Sequence, residues 1–108
     1  MSTPSYPPAN APYAQAAAVV NEDGTIVRAQ GVAEVRRIAD GSYVVRVSKG
    51  IDLEKGVPVV CLIGRTDSSV PGQIYVNLHD TGGDPHTFGV MTYAGAARVN
   101  SSFTVIVA

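Results

Sequence analysis

Both histidines of the 108-residue chain, His79 and His86, fall within eight residues that also hold Asp80 and Asp84, in the run His79-Asp80-Thr81-Gly82-Gly83-Asp84-Pro85-His86. Nowhere else do several side chains able to move protons or ligate metal gather. Imidazole nitrogen and carboxylate oxygen together suit Zn²⁺ or a harder cation, but the spacing matches no known ligand signature. Gly82-Gly83 and Asp84-Pro85 read instead as a solvated hairpin loop, with an Asp before Pro whose carboxylate bonds its own backbone. Neither a metal nor a cofactor is expected.

Asp80-Thr81-Gly82 also spells the active-site triplet of aspartic proteases. Such an enzyme needs a flap, a second glycine-bearing loop and a closing helix after the catalytic Asp, and only 28 residues follow Asp80. The triplet should also follow an apolar strand, whereas here it follows Asn77-Leu78-His79. The match is therefore set aside as accidental. Cys61 lies in Val59-Val60-Cys61-Leu62-Ile63 with no charged neighbour to lower its pKa, which reads as a core position. Arg28, Arg36, Arg37 and Arg46 alternate with Glu22, Asp23, Glu34 and Asp40, a pattern for cross-strand ion pairs on a wet face. Ser68-Ser69 and Ser101-Ser102 have no base at a recognisable spacing, so no catalytic serine is expected.

The elements that position these residues are strands. The chain has 17 Val, 6 Ile and 7 Thr against 3 Leu and 2 Met, a mix that suits a pleated surface and not a helix. Short apolar stretches near 16–20, 25–29, 31–38, 42–48, 57–63, 72–78, 86–93 and 102–107 are separated by turn signals. Asp23-Gly24 and Asp40-Gly41 mark two tight turns. Alternation over 42–48 predicts that Tyr43, Val45 and Val47 point inward, while Arg36-Arg37 breaks the alternation of its partner and predicts a bulge there. Val57 to Ile63 is apolar on both faces and is expected to be covered on both sides, by its own sandwich and a loop or by another subunit. The fold class expected is all-β, an antiparallel β-sandwich or jelly-roll-like barrel of about eight short strands.

An N-terminal arm precedes this body. Met1 to Ala14 holds four of the seven prolines, two tyrosines and no charged side chain, and can form neither a sheet interior nor a helix. In polyproline geometry it reaches about 40 Å, enough to lie across a neighbouring subunit, with Tyr6, Pro7, Pro8 and Tyr13 as anchors. Residues 1–15 are thus assigned to the arm and 16–108 to one domain. The arm lacks the positive and apolar regions of a secretory signal, so synthesis in the cytoplasm is expected.

Charge and hydropathy exclude some partners. Eight Lys and Arg against nine Asp and Glu leave a formal net charge of -1, with no electrostatic footprint for nucleic acid. The longest apolar runs fall far short of the ~20 residues of a membrane helix.

Val20-Asn21-Glu22-Asp23-Gly24-Thr25-Ile26-Val27-Arg28, Gly31-Val32, Asp40-Gly41-Ser42-Tyr43-Val44-Val45, Val90-Met91-Thr92-Tyr93 and the final Phe103-Thr104-Val105-Ile106-Val107 carry a resemblance. Across residues 17–108 the chain resembles small β domains of bacteria and their phages, several of which cap collagen-like or fibre stalks. The resemblance implies an oligomeric, often trimeric, display or assembly domain on a virion or extracellular surface. No Gly-X-Y repeat or heptad precedes the body here, and the Pro and Tyr arm moves weight from a fibre tip toward a protein that docks on a larger lattice. The leading expectation is a non-enzymatic structural protein, a homo-oligomer with a trimer favoured, decorating a bacteriophage capsid or tail. The alternative is a carbohydrate-binding module whose shallow site is lined by Tyr75, His79, Asp80, Asp84, His86 and Tyr93.

Overall fold

The computed structural model describes residues 14–53, 56–63, 72–78 and 84–108. These form nine strands: β1 (Ala16–Val20), β2 (Ile26–Gln30), β3 (Val32–Ala39), β4 (Ser42–Val47), β5 (Pro58–Leu62), β6 (Gly72–Asn77), β7 (Thr87–Ala94), β8 (Ala97–Arg98) and β9 (Phe103–Val107). Two antiparallel sheets pack face to face, one ordered β2-β1-β9-β5 and the other β3-β4-β7-β6 with β8 paired to β7. The sheets do not close on each other, so the sandwich holds and the barrel reading falls. All eight expected strands are present, and the two-residue β8 is the addition.

Alternating side chains fill the space between the sheets. Tyr43, Val45 and Val47 on β4 face inward as expected, opposite Phe103, Val105 and Val107 on β9, and Phe88 and Val90 on β7 close the layer. Burying each of these apolar side chains stabilises the fold by roughly 1.5 to 3 kcal/mol. The Tyr43 and Phe103 rings meet edge to face with centroids 5.0 Å apart. The Tyr43 hydroxyl donates to the Glu22 carbonyl at 2.6 Å and accepts from the Ser101 amide at 3.2 Å, tying the second sheet to both segments that flank the first. Thr92, the one fully buried polar side chain among the described residues, donates to the Val99 carbonyl at 2.5 Å.

The chain passes between sheets with a single residue at Gly31, which separates β2 from β3 and has φ +69°. A Cβ there would lie 2.6 Å from the Gln15 carbonyl oxygen, so glycine is required by both conformation and space. The bulge expected at Arg36-Arg37 lies one residue later. Arg36 and Arg37 pair normally with Val44 and Tyr43, and the register shifts between Arg37 and Ala39, with a second shift between Val32 and Glu34. The displaced Ile38 is exposed.

Candidate functional site

The loop singled out by its acids and histidines takes structural roles where it is described. The Asp84 carboxylate accepts from the His86 amide at 2.9 Å, and the Asp84 carbonyl accepts from the Thr87 hydroxyl at 3.2 Å, an Asx turn that starts β7. The His86 carbonyl accepts from the Val47 amide at 2.8 Å, extending the β4–β7 ladder. His86 also borders an open cleft of about 290 Å³ lined by Lys49, Ile51, Asp52, Leu53 and Pro85. His86 Nδ1 is buried without a hydrogen-bond partner among the described residues. His79 and Asp80 lie outside the described residues, as do the arm positions Tyr6, Pro7, Pro8 and Tyr13. Among the described residues no three His, Cys, Asp or Glu side chains converge as a metal site would require.

Tyr75 and Tyr93 do meet, but elsewhere. The β6–β7 register opposes Tyr75 to Met91 and Gln73 to Tyr93. The two rings therefore sit diagonally on the outer face of the second sheet, with centroids 5.7 Å apart and planes at 80°. The Arg98 guanidinium lies 6.0 Å from the centre of the Tyr93 ring, and the Tyr75 hydroxyl donates to the Gln73 side chain at 2.9 Å. Along an extended strand, Tyr93 is about 23 Å from His86. Of the residues in the carbohydrate-binding reading, Tyr75 and Tyr93 pair with each other on this face, apart from Asp84 and His86.

Ion pairs hold part of the arginine pattern: Arg46 with Glu34 at 3.3 Å and Arg37 with Asp40 at 3.1 Å. All four side chains are well exposed, and such pairs contribute little to stability. Asp23 caps the β1–β2 turn by accepting from the Thr25 hydroxyl at 2.6 Å and the Thr25 amide at 3.0 Å, and these bonds hold its carboxyl below the usual range.

The reading of Cys61 as core is corrected by the structure, because its side chain is exposed. The cause is register. β5 pairs with β9 so that Pro58, Val60 and Leu62 stand opposite the inward Val107, Val105 and Phe103. Val59 and Cys61 must then point out, with Ile106 and Thr104 as neighbours. Within the described residues of the single chain, the outer side of 57–63 is open: Val57 is 58% exposed, Val59 64%, Ile63 43% and Ile106 42%. Across the first sheet the rows run Val59, Ile106, Ala17, Gln30 and Cys61, Thr104, Val19, Arg28. No residue of β5, β9 or β1 is charged, and the first charge on that face is Arg28 at the β2 edge. Ala17 on that face is only 4% exposed, so the open apolar surface is the β5–β9 edge around Val59, Cys61 and Ile106, and a patch of this kind marks an interaction site more often than an isolated exposed side chain does. Sequence reasoning found the two-faced strand but not the surface, since the contribution of Ile106 depends on pairing with β9.

Comparison with protein-family models, with curated proteins and with solved structures finds no match for this chain. The functional reading rests on its own residues.

Proposed function

We propose that the protein is a non-enzymatic assembly module that self-associates through the outer face of the β2-β1-β9-β5 sheet and decorates a larger particle. The carrying observation is the uncharged strip of Val57, Val59, Cys61, Ile63 and Ile106, exposed together along one edge of the first sheet. Transferring such side chains out of water favours association by roughly 25 cal/mol for each Å² covered. Among the described polar side chains, Asp84 and Asp23 are engaged in turns, and Tyr43 and Thr92 in cross-links within the sandwich.

A homo-oligomer, with a trimer favoured, on a bacteriophage virion is the most concrete form of this reading. This form is what the sequence resemblance over residues 17–108 implies. Light scattering on the full chain tests the assembly: a mass that is a whole multiple of the 11.2 kDa chain supports it, and a monomer at high concentration removes it. Detection of the chain in purified virions tests the location.

The paired Tyr75 and Tyr93 keep a second reading in view, because an exposed aromatic beside Gln73 and Arg98 offers a stacking surface with hydrogen-bond donors for a sugar. A glycan array probed with wild type and with Tyr93→Ala tests it. Loss of a wild-type signal in the variant supports sugar binding, and a blank wild-type array rejects it.

A further inference from the structure

We propose that the occupant of the apolar strip is residues 1–13 of a second copy of the chain, laid across Val59, Cys61 and Ile106. The inference rests on the assembly reading and names the contact that makes it.

The strip sets the chemistry of its occupant. A charged side chain placed on Val57, Val59 or Ile106 would lose water without gaining a partner, which is unfavourable for a buried ion. Residues 1–13 have no charged side chain, four prolines and two tyrosines, so they bring apolar area without that penalty. Proline fixes φ in the free segment, which lowers the conformational entropy lost on docking.

Gln15 fixes the point from which the arm departs, and the assembly reading supplies the second copy. The Gln15 side chain is pinned between the Ala108 carbonyl at 2.8 Å and the Asp52 amide at 3.1 Å, and its own amide donates to the Val107 carbonyl at 2.7 Å. One residue earlier, the Ala14 carbonyl accepts from the Gln30 side chain at 3.4 Å. Gln30 belongs to β2, at the edge of the sheet opposite β5. Ala14 thus precedes the arm in line with β1, one strand or about 5 Å from β9. Thirteen residues at ~3.1 Å each reach about 40 Å, enough to span β5 of a neighbour, whose five residues extend about 17 Å.

Cys61 is the single cysteine of the chain and lies within the strip, which makes it a native reporter. The test is Ser5→Cys in the full-length protein, oxidised with copper phenanthroline, which takes two electrons and two protons from a thiol pair as the S–S bond forms. The expected result is a shift on non-reducing gels from monomer mass to doubled or higher mass, reversed by reductant. Peptide mapping of the shifted bands should show a link between positions 5 and 61, and Ser5→Cys combined with Cys61→Ser should lose it. A 5–61 link found at monomer mass overturns the second copy as occupant. No 5–61 link, in a protein that light scattering shows to be oligomeric, overturns the arm contact and leaves the assembly reading standing. A monomer without the link overturns both.

Discussion

Val59 on β5 and Ile106 on β9 are register partners on the outer face of the four-stranded sheet, and both are exposed while their inward neighbours Val60, Val105 and Val107 pack against the core. A charge at one of the inward positions would destabilise the sandwich; a charge at Val59, 64% exposed, remains within reach of solvent in the single chain. The same pair that is dispensable for the fold is thus the centre of the surface proposed for assembly. Assembly can therefore be disrupted without destroying the domain.

Cys61 shares this face, so its thiol reports whether the face is covered. In wild type at high concentration, reaction with a thiol reagent such as Ellman's should be slow and should accelerate on dilution. In Val59→Glu it should run at the rate of an exposed thiol at every concentration. Equal rates for both proteins at all concentrations would place the interface elsewhere.

Tyr43 links the sheets through its hydroxyl, and Tyr43→Phe should lower the unfolding free energy by about 1 kcal/mol, read by urea denaturation at neutral pH. Burial pushes the phenol up from its ordinary value of 10.0. The folded state then holds the proton more tightly than the unfolded one. The contribution is full below the unfolded value and is lost as pH rises through the folded value. Wild-type stability should fall above pH 10 more steeply than that of Tyr43→Phe; parallel curves would show that the phenol is not linked to folding.

Thr92→Val keeps the shape of the side chain but removes the donor to the Val99 carbonyl in a fully buried setting. Leaving that acceptor unmatched should cost about 1 to 3 kcal/mol, visible as a lower urea midpoint with an unchanged slope. An unchanged midpoint would mean that the carbonyl finds another partner.

Gly31→Ala forces a Cβ toward the Gln15 carbonyl at a positive φ, and the loss should exceed about 1 kcal/mol. At Gly50 an added Cβ would meet no atom within 4 Å, so Gly50→Ala serves as the control and should be near neutral. Equal effects at the two sites would contradict the one-residue crossover between sheets.

Much of this architecture can be read from the sequence where alternation is clean. Ser42 to Val47 places Tyr43, Val45 and Val47 inside from period alone, and the observed burial agrees. Val57 to Ile63 resists the same reading because both of its faces are apolar, so nothing within the strand chooses between Cys61 inside and Cys61 outside. The choice is made by β9, about forty residues away, whose Phe103, Val105 and Val107 take the core. The Tyr75 and Tyr93 platform is hidden for a similar reason, since it arises from a diagonal across the β6–β7 ladder. β8 is too short at two residues to show a period. The histidine and aspartate loop drew attention by composition, which carries no information on whether Asp84 is free or engaged in its own turn.

Assembly through the β5–β9 face stands or falls on the molar mass by light scattering over a concentration series, for wild type and for Val59→Glu. Wild type should give a discrete oligomer and the variant a folded monomer, with the same circular dichroism spectrum. A wild-type monomer throughout, or an oligomer that survives Val59→Glu unchanged, would contradict assembly through this face.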